Sequence, residues 1–123
     1  MKHMSEPANP EPTIFERIVA REIPAEIVAE TERVIAFVDI APQAPLHLVI
    51  TPKTAEYANV VELAAADPEL LAELVGVADG LAAEHANGEF RLIFNTGASA
   101  GQTVFHVHAH LLAGGLEERA LVG

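Results

Sequence analysis

Three of the six histidines in this 123-residue chain fall within five positions, as His106, His108 and His110, with Val107, Ala109 and Leu111 alternating. On a β-strand this spacing sends all three imidazoles to one face and the aliphatic side chains to the other. Neighbouring rings then start from backbone positions roughly 6.5–7 Å apart. Solvent exposure accounts for a single histidine of this kind. Three in strict alternation inside an apolar run point to chemistry. One candidate is metal binding, since His-x-His offers two nitrogens to one ion. No carboxylate lies between Glu89 and Glu117, and the sequence shows no second ligand motif, so neither a metal nor any other cofactor is expected. The other candidate is nucleophilic catalysis. Neutral imidazole attacks phosphorus, titrates near neutral pH, and gains from neighbours that supply protons.

The residues just upstream suit a phosphate. Asn95 to Thr103 (NTGASAGQT) is small, polar and glycine-bearing, and such backbone can approach an anion and offer N–H groups. An ordinary hairpin connection would read the same way. Residues 92–116 contain no Asp, Glu, Lys or Arg, so an anion there would be met by imidazoles, amides and hydroxyls. No Walker A pattern is present, which excludes a P-loop nucleotide site.

These groups need a scaffold. Ile14, Phe15, Ile18 and Val19 recur at helical spacing up to Pro24. Strands are expected at Glu26–Glu30, Val34–Ile40 and Leu46–Thr51, with Pro42 and Pro45 in the second connection. A long helix begins at Asp67, a good N-cap followed by Pro68, and ends near Asn87-Gly88. Two more strands are expected, Glu89–Asn95 and Val104–Leu112. Grouped strands interrupted by one long helix imply an α+β fold: a mainly antiparallel five-stranded sheet, with one short and one long helix. Residues 1–13, with three prolines and no periodicity, read as a flexible arm, leaving 14–123 as one domain.

Composition limits the partners. Seven Lys plus Arg against eighteen Asp plus Glu give a net charge of −11, which disfavours nucleic acid and anionic membranes. No run approaches the roughly 18 apolar residues of a membrane span, and a basic-then-apolar leader is lacking. The absence of cysteine fits a reducing, cytoplasmic setting.

The segment Gly101-Gln102-Thr103-Val104-Phe105-His106-Val107-His108-Ala109-His110-Leu111-Leu112 resembles the signature of the histidine-triad (HIT) family. Phe37-Val38-Asp39-Ile40-Ala41-Pro42-Gln43-Ala44-Pro45-Leu46-His47, together with Ile14-Phe15 and Ile23-Pro24-Ala25, resembles the branch of histidine triad nucleotide-binding proteins. The resemblance spans about residues 14–115. It implies a homodimer whose sheet continues across two subunits, and hydrolysis of purine nucleoside phosphoramidates through a nucleotidyl-histidine intermediate. By resemblance, His108 is the nucleophile, and His110 contacts the phosphate and leaving group. His106 and His47 orient the nucleophile and relay protons. Asn95 and Thr103 bind the α-phosphate region, Asp39 binds the ribose hydroxyls, and Ile14, Phe15, Ile18, Ile23, Phe37, Ile40 and Val49 enclose the base; Gly101 and Gln102 of the small polar loop are expected to join them in binding the nucleotide. Read alone, Asp39 is a turn cap, His47 an exposed strand residue and the apolar set plain core.

Two departures stand out. Thr103 replaces the usual serine, adding a methyl group. The tail after Gly115 has no aromatic residue, where many relatives in that branch carry one, so the leaving group is left open. Related branches cleave dinucleoside polyphosphates or transfer nucleotidyl groups, and a nucleotide-binding regulator with little turnover is a third reading.

Overall fold

The computed structural model describes residues 11–117. In chain order its elements are α1 (Ile14–Val19), β1 (Ile27–Glu30), β2 (Val34–Val38), β3 (Leu46–Pro52), α2 (Val60–Ala66), α3 (Pro68–His85), β4 (Arg91–Ile93) and β5 (Ala109–Ala113), with a single 3-10 turn at Ala98–Ala100. The strands form one sheet in the order β1-β2-β3-β5-β4. Every neighbouring pair is antiparallel. The α+β class and the five-stranded antiparallel sheet expected from the sequence are both present.

Period-two alternation sorts the sheet into two layers. Val34 and Ala36 of β2, Leu48 and Ile50 of β3, and Ala109, Leu111 and Ala113 of β5 share one core with Leu70, Leu74, Ala78, Leu81 and Ala82 of α3. The residues between them turn the other way. Ile35, Phe37 and Val49 pack with Phe15 and Ile18 of α1. The long helix therefore covers one face, and the short first helix covers part of the other. His47 and His110 alternate with core residues on β3 and β5, so they share the α1 side.

Four local expectations change. A third helix, α2, precedes the long one. Asp67 ends α2 as its C-cap and starts α3 as its N-cap, its side chain accepting the Leu70 N–H. Pro68 disfavours helical backbone at Asp67, which divides the two helices there. Strand β4 is only three residues long, although Phe90, Leu92 and Phe94 still pack on the main core. The last strand begins at Ala109, so His106 and His108 precede the ladder while keeping the predicted sidedness: Val107 lies in the main core. Thr13 does not belong to a loose arm. It is 2% exposed and caps α1 in a capping box with Glu16. The expected arm over residues 1–10 and the tail over 118–123 lie outside the described residues. Among the described residues no helix is long and apolar enough to cross a membrane.

Candidate active site

A cleft of about 470 Å³ opens on the α1 side of the sheet. Its apolar wall comes from Ile14, Phe15 and Ile18 of α1, from Ile23, and from Phe37 and Val49 of the sheet. Ile40 stands at the rim, 96% exposed. The polar side carries Asp39, Gly101, Thr103, His108 and His110. Pro24, Ala25, Val38 and Val104 also line it; the sequence places them in the motifs but not among the site residues.

Asn95, Gln102, His47 and His106 do not line this cleft. Gln102 is buried and turned inward. Its Oε1 accepts the Gly97 N–H at 2.8 Å, and its Nε2 donates to the carbonyls of Ala58 (2.6 Å) and Val104 (3.1 Å). The side chain expected at the phosphate is thus spent on holding the Gly-rich loop. Gly101 takes φ +98°, left-handed backbone that suits glycine, and closes the 3-10 turn beside Asn95.

The histidines form two hydrogen-bonded pairs of anchors, and backbone partners fix where their protons sit. His108 Nδ1 lies 2.9 Å from the His106 carbonyl, an acceptor, so Nδ1 carries the hydrogen and Nε2 keeps its lone pair. His47 Nδ1 accepts the Gln43 backbone N–H at 3.0 Å, so His47 holds its hydrogen on Nε2. That Nε2–H points to His110 Nδ1 at 2.9 Å, leaving neutral His110 with its hydrogen on Nε2. His106 donates from Nε2 to the Pro52 carbonyl at 2.7 Å. The rings of His108 and His110 stand edge to face with centroids 5.2 Å apart. Phe15 packs edge-on against both His106 and His108.

The register explains one of these meetings. Val49 faces His110 across the ladder and His47 faces Leu112, so His47 and His110 are diagonal neighbours. Asp39 joins them from the β2–β3 connection. Its Oδ1 accepts the Ala41 N–H at 2.8 Å, the turn-capping role readable in the sequence. Its Oδ2 lies 3.4 Å from His47 Nε2 and 3.8 Å from His110 Nδ1. Asp39, His47 and His110 therefore offer three ligand atoms within 4.8 Å of one another, a set the sequence did not reveal because its members lie on three separate segments. The His47–His110 hydrogen bond uses the same nitrogens, so an ion there would have to displace the shared proton.

Burial sets the electrostatics. Desolvation pushes His106, His108 and His110 below the ordinary histidine value. For His110 the rings of His108 and His47 add to the depression, while the Asp39 carboxylate opposes it at both His110 and His108. The outcome is a neutral imidazole with a bare nitrogen, beside a second ring that can hold or release a proton.

The HIT domain family model matches residues 20–115, and the chain belongs to the HIT domain family. It is 46% identical over 105 residues to an uncharacterized HIT-like protein of Synechococcus elongatus, covering 85% of this chain and 91% of that one. It is 42% identical over 106 residues to the purine nucleoside phosphoramidase of Escherichia coli, covering 85% and 88%. A HIT family hydrolase structure from Clostridium thermocellum superposes with a TM-score of 0.80 at 42% identity, over 89% of this chain and 99% of that one. Within the family, the coarse class these relatives support for the chain is that of a hydrolase.

Proposed function

We propose that the protein hydrolyses the phosphorus–nitrogen bond of purine nucleoside 5′-phosphoramidates through a covalent nucleotide on His108. One observation carries this reading: the His106 carbonyl takes the Nδ1 hydrogen of His108, so the cleft-side ring has Nε2 free as a nucleophile. The relative in Escherichia coli named for this activity supports the choice of substrate class.

The reaction divides into two displacements. His108 Nε2 bonds to the α-phosphorus and the P–N bond breaks. The amine leaves with a proton from His110 Nε2; His110 acts in its protonated form, in which its Nδ1–H and the His47 Nε2–H turn to the Asp39 carboxylate, 3.8 and 3.4 Å away. Water then attacks phosphorus, returns a proton to His110, and releases the nucleoside monophosphate as the His108–P bond breaks. The apolar wall receives the base, Asp39 the ribose, and Thr103 with the Gly101 backbone the phosphate oxygens. Ile40 and Ile14, both exposed at the rim, gain burial when a base stacks between the walls. His47 and His106 act from behind, fixing protons and ring angles.

Dinucleoside polyphosphate cleavage and nucleotidyl transfer use the same first displacement and differ in the leaving group or the final acceptor. We place the protein as a homodimer in the cytoplasm. The edge position of β4 in the sheet of the described residues supports sheet pairing with a second copy, and the cysteine-free composition supports a reducing setting. The test is rapid quenching with adenosine 5′-phosphoramidate, followed by peptide mass spectrometry. An adenylyl group on His108 is expected, and an adduct on any other side chain overturns the reading.

A further inference from the structure

Thr13 is the N-cap of α1 and also touches the triad. Its Oγ1 accepts the Glu16 N–H at 3.2 Å and lies 2.8 Å from His106 Nδ1, 93 positions away in the chain. The protons can be placed. The Pro52 carbonyl has none to give, so His106 holds its hydrogen on Nε2 and its Nδ1 is bare. The Thr13 hydroxyl therefore donates to His106 Nδ1 and keeps a lone pair for the helix end. A single hydroxyl serves both, and it satisfies a ring that is 0% exposed.

This bond has leverage because residues 104–108 carry no ladder pairing; β5 starts at Ala109. The place of the His106 carbonyl, which orients His108, depends on anchors from outside the strand. The Tyr57 carbonyl accepts the Val107 N–H at 2.9 Å, and Thr51 Oγ1 donates to the Val107 carbonyl at 2.8 Å. Gln102 Nε2 holds the Val104 carbonyl at 3.1 Å, and the His106 ring is a further anchor, clamped between Pro52 and Thr13. Among these hydrogen-bond partners Thr13 comes from the start of α1, the helix that also supplies the apolar wall of the cleft and whose Phe15 packs edge-on against both His106 and His108.

We propose that Thr13 is a positioning residue of the triad, acting through His106 to orient His108, so that seating the first helix and aiming the nucleophile are one event. The proposal rests on the reading of His108 as nucleophile.

Thr13→Val keeps the side-chain shape and removes the hydroxyl; Thr13→Ser keeps the hydroxyl. The full chain, labelled with 15N-histidine, is compared by imidazole NMR and by steady-state kinetics on adenosine 5′-phosphoramidate. Wild type and Thr13→Ser are expected to show His106 protonated on Nε2, with a hydrogen-bonded Nδ1. In Thr13→Val the Nδ1 resonance is expected to move to an unbonded position, and kcat to fall on the order of 100-fold with KM little changed. A role confined to capping would raise KM through a frayed wall and leave kcat and the His106 resonances unmoved; that result overturns the proposal. If Thr13→Val does not fold, the wild-type spectrum decides: His106 found protonated on Nδ1 at neutral pH overturns it. If wild type turns over no phosphoramidate, the proposed activity fails, while the spectra still report on the Thr13–His106 bond.

Discussion

His47 Nε2 sits 2.9 Å from His110 Nδ1, and its direction of donation is set by a third residue, Gln43, whose backbone N–H occupies the other nitrogen of His47. His110 is thereby left with its hydrogen on the nitrogen that remains for the cleft. Replacing His47 with alanine should cost on the order of 100-fold in kcat, the scale of a small misplacement of a reacting group. The His110 pKa should rise toward its ordinary value, because the His47 ring helps to depress it. Histidine NMR titration of the variant checks the direction.

His108→Ala should reduce turnover by more than about a thousandfold while AMP still binds, since the apolar wall and Asp39 remain. His108→Gly should recover part of the rate when imidazole is added, because the free base can occupy the vacated position. Calorimetry with AMP and turnover with added imidazole measure the two halves separately.

Asp39→Asn removes the carboxylate that favours the charged forms of His108 and His110. Both pKa values should drop further. Under the proposed mechanism, the basic limb of the kcat profile belongs to protonated His110 and should move to lower pH. A limb that moves upward would contradict the assignment.

Acid should weaken the fold. His106, His108 and His110 have folded-state pKa values below the ordinary 6.5. In the unfolded chain they therefore bind more protons as pH falls below about 6.5. Their contribution is fully present above that value and is lost on descending through the window between it and the lowered folded values. Thermal melts between pH 7.5 and 5 should show Tm falling. His106→Asn, which removes the most buried of the three rings, should flatten the slope.

Gln102→Ala removes three hydrogen bonds from the loop, which at about 0.5–1.5 kcal/mol each predicts a loss on the order of 2–4 kcal/mol. The damage should appear as a lower unfolding midpoint. A variant with normal stability and a raised KM would restore the phosphate-contact role read from the sequence.

The sequence made the sheet, its sidedness and the histidine cluster legible because each is a matter of period: Val34/Ala36 against Ile35/Phe37, and Val107/Ala109/Leu111 against the triad. It concealed what depends on contacts between distant segments. Thr13 looked like part of a proline-rich arm, since its partner is 93 positions away. Gln102 looked like a phosphate ligand, since nothing local shows that Ala58 will present its carbonyl to it. Helix α2 was hidden by its short length and by Asp67, whose capping signature advertises only the helix that follows. The ligand-like grouping of Asp39, His47 and His110 arises from a diagonal across β3 and β5 plus a turn, a geometry no linear spacing encodes.

Along β3 and β5 the reactive layer and the aliphatic layer share one backbone by simple odd–even parity. Adding or deleting a single codon within Leu46–Pro52 or Ala109–Ala113 would exchange them, sending imidazole into the packing under α3 and aliphatic carbon toward the cleft. Length changes in these two strands should therefore be absent from working descendants of this chain, while the connection at 40–45 can drift in length as long as Asp39 keeps its place and an amide still reaches His47.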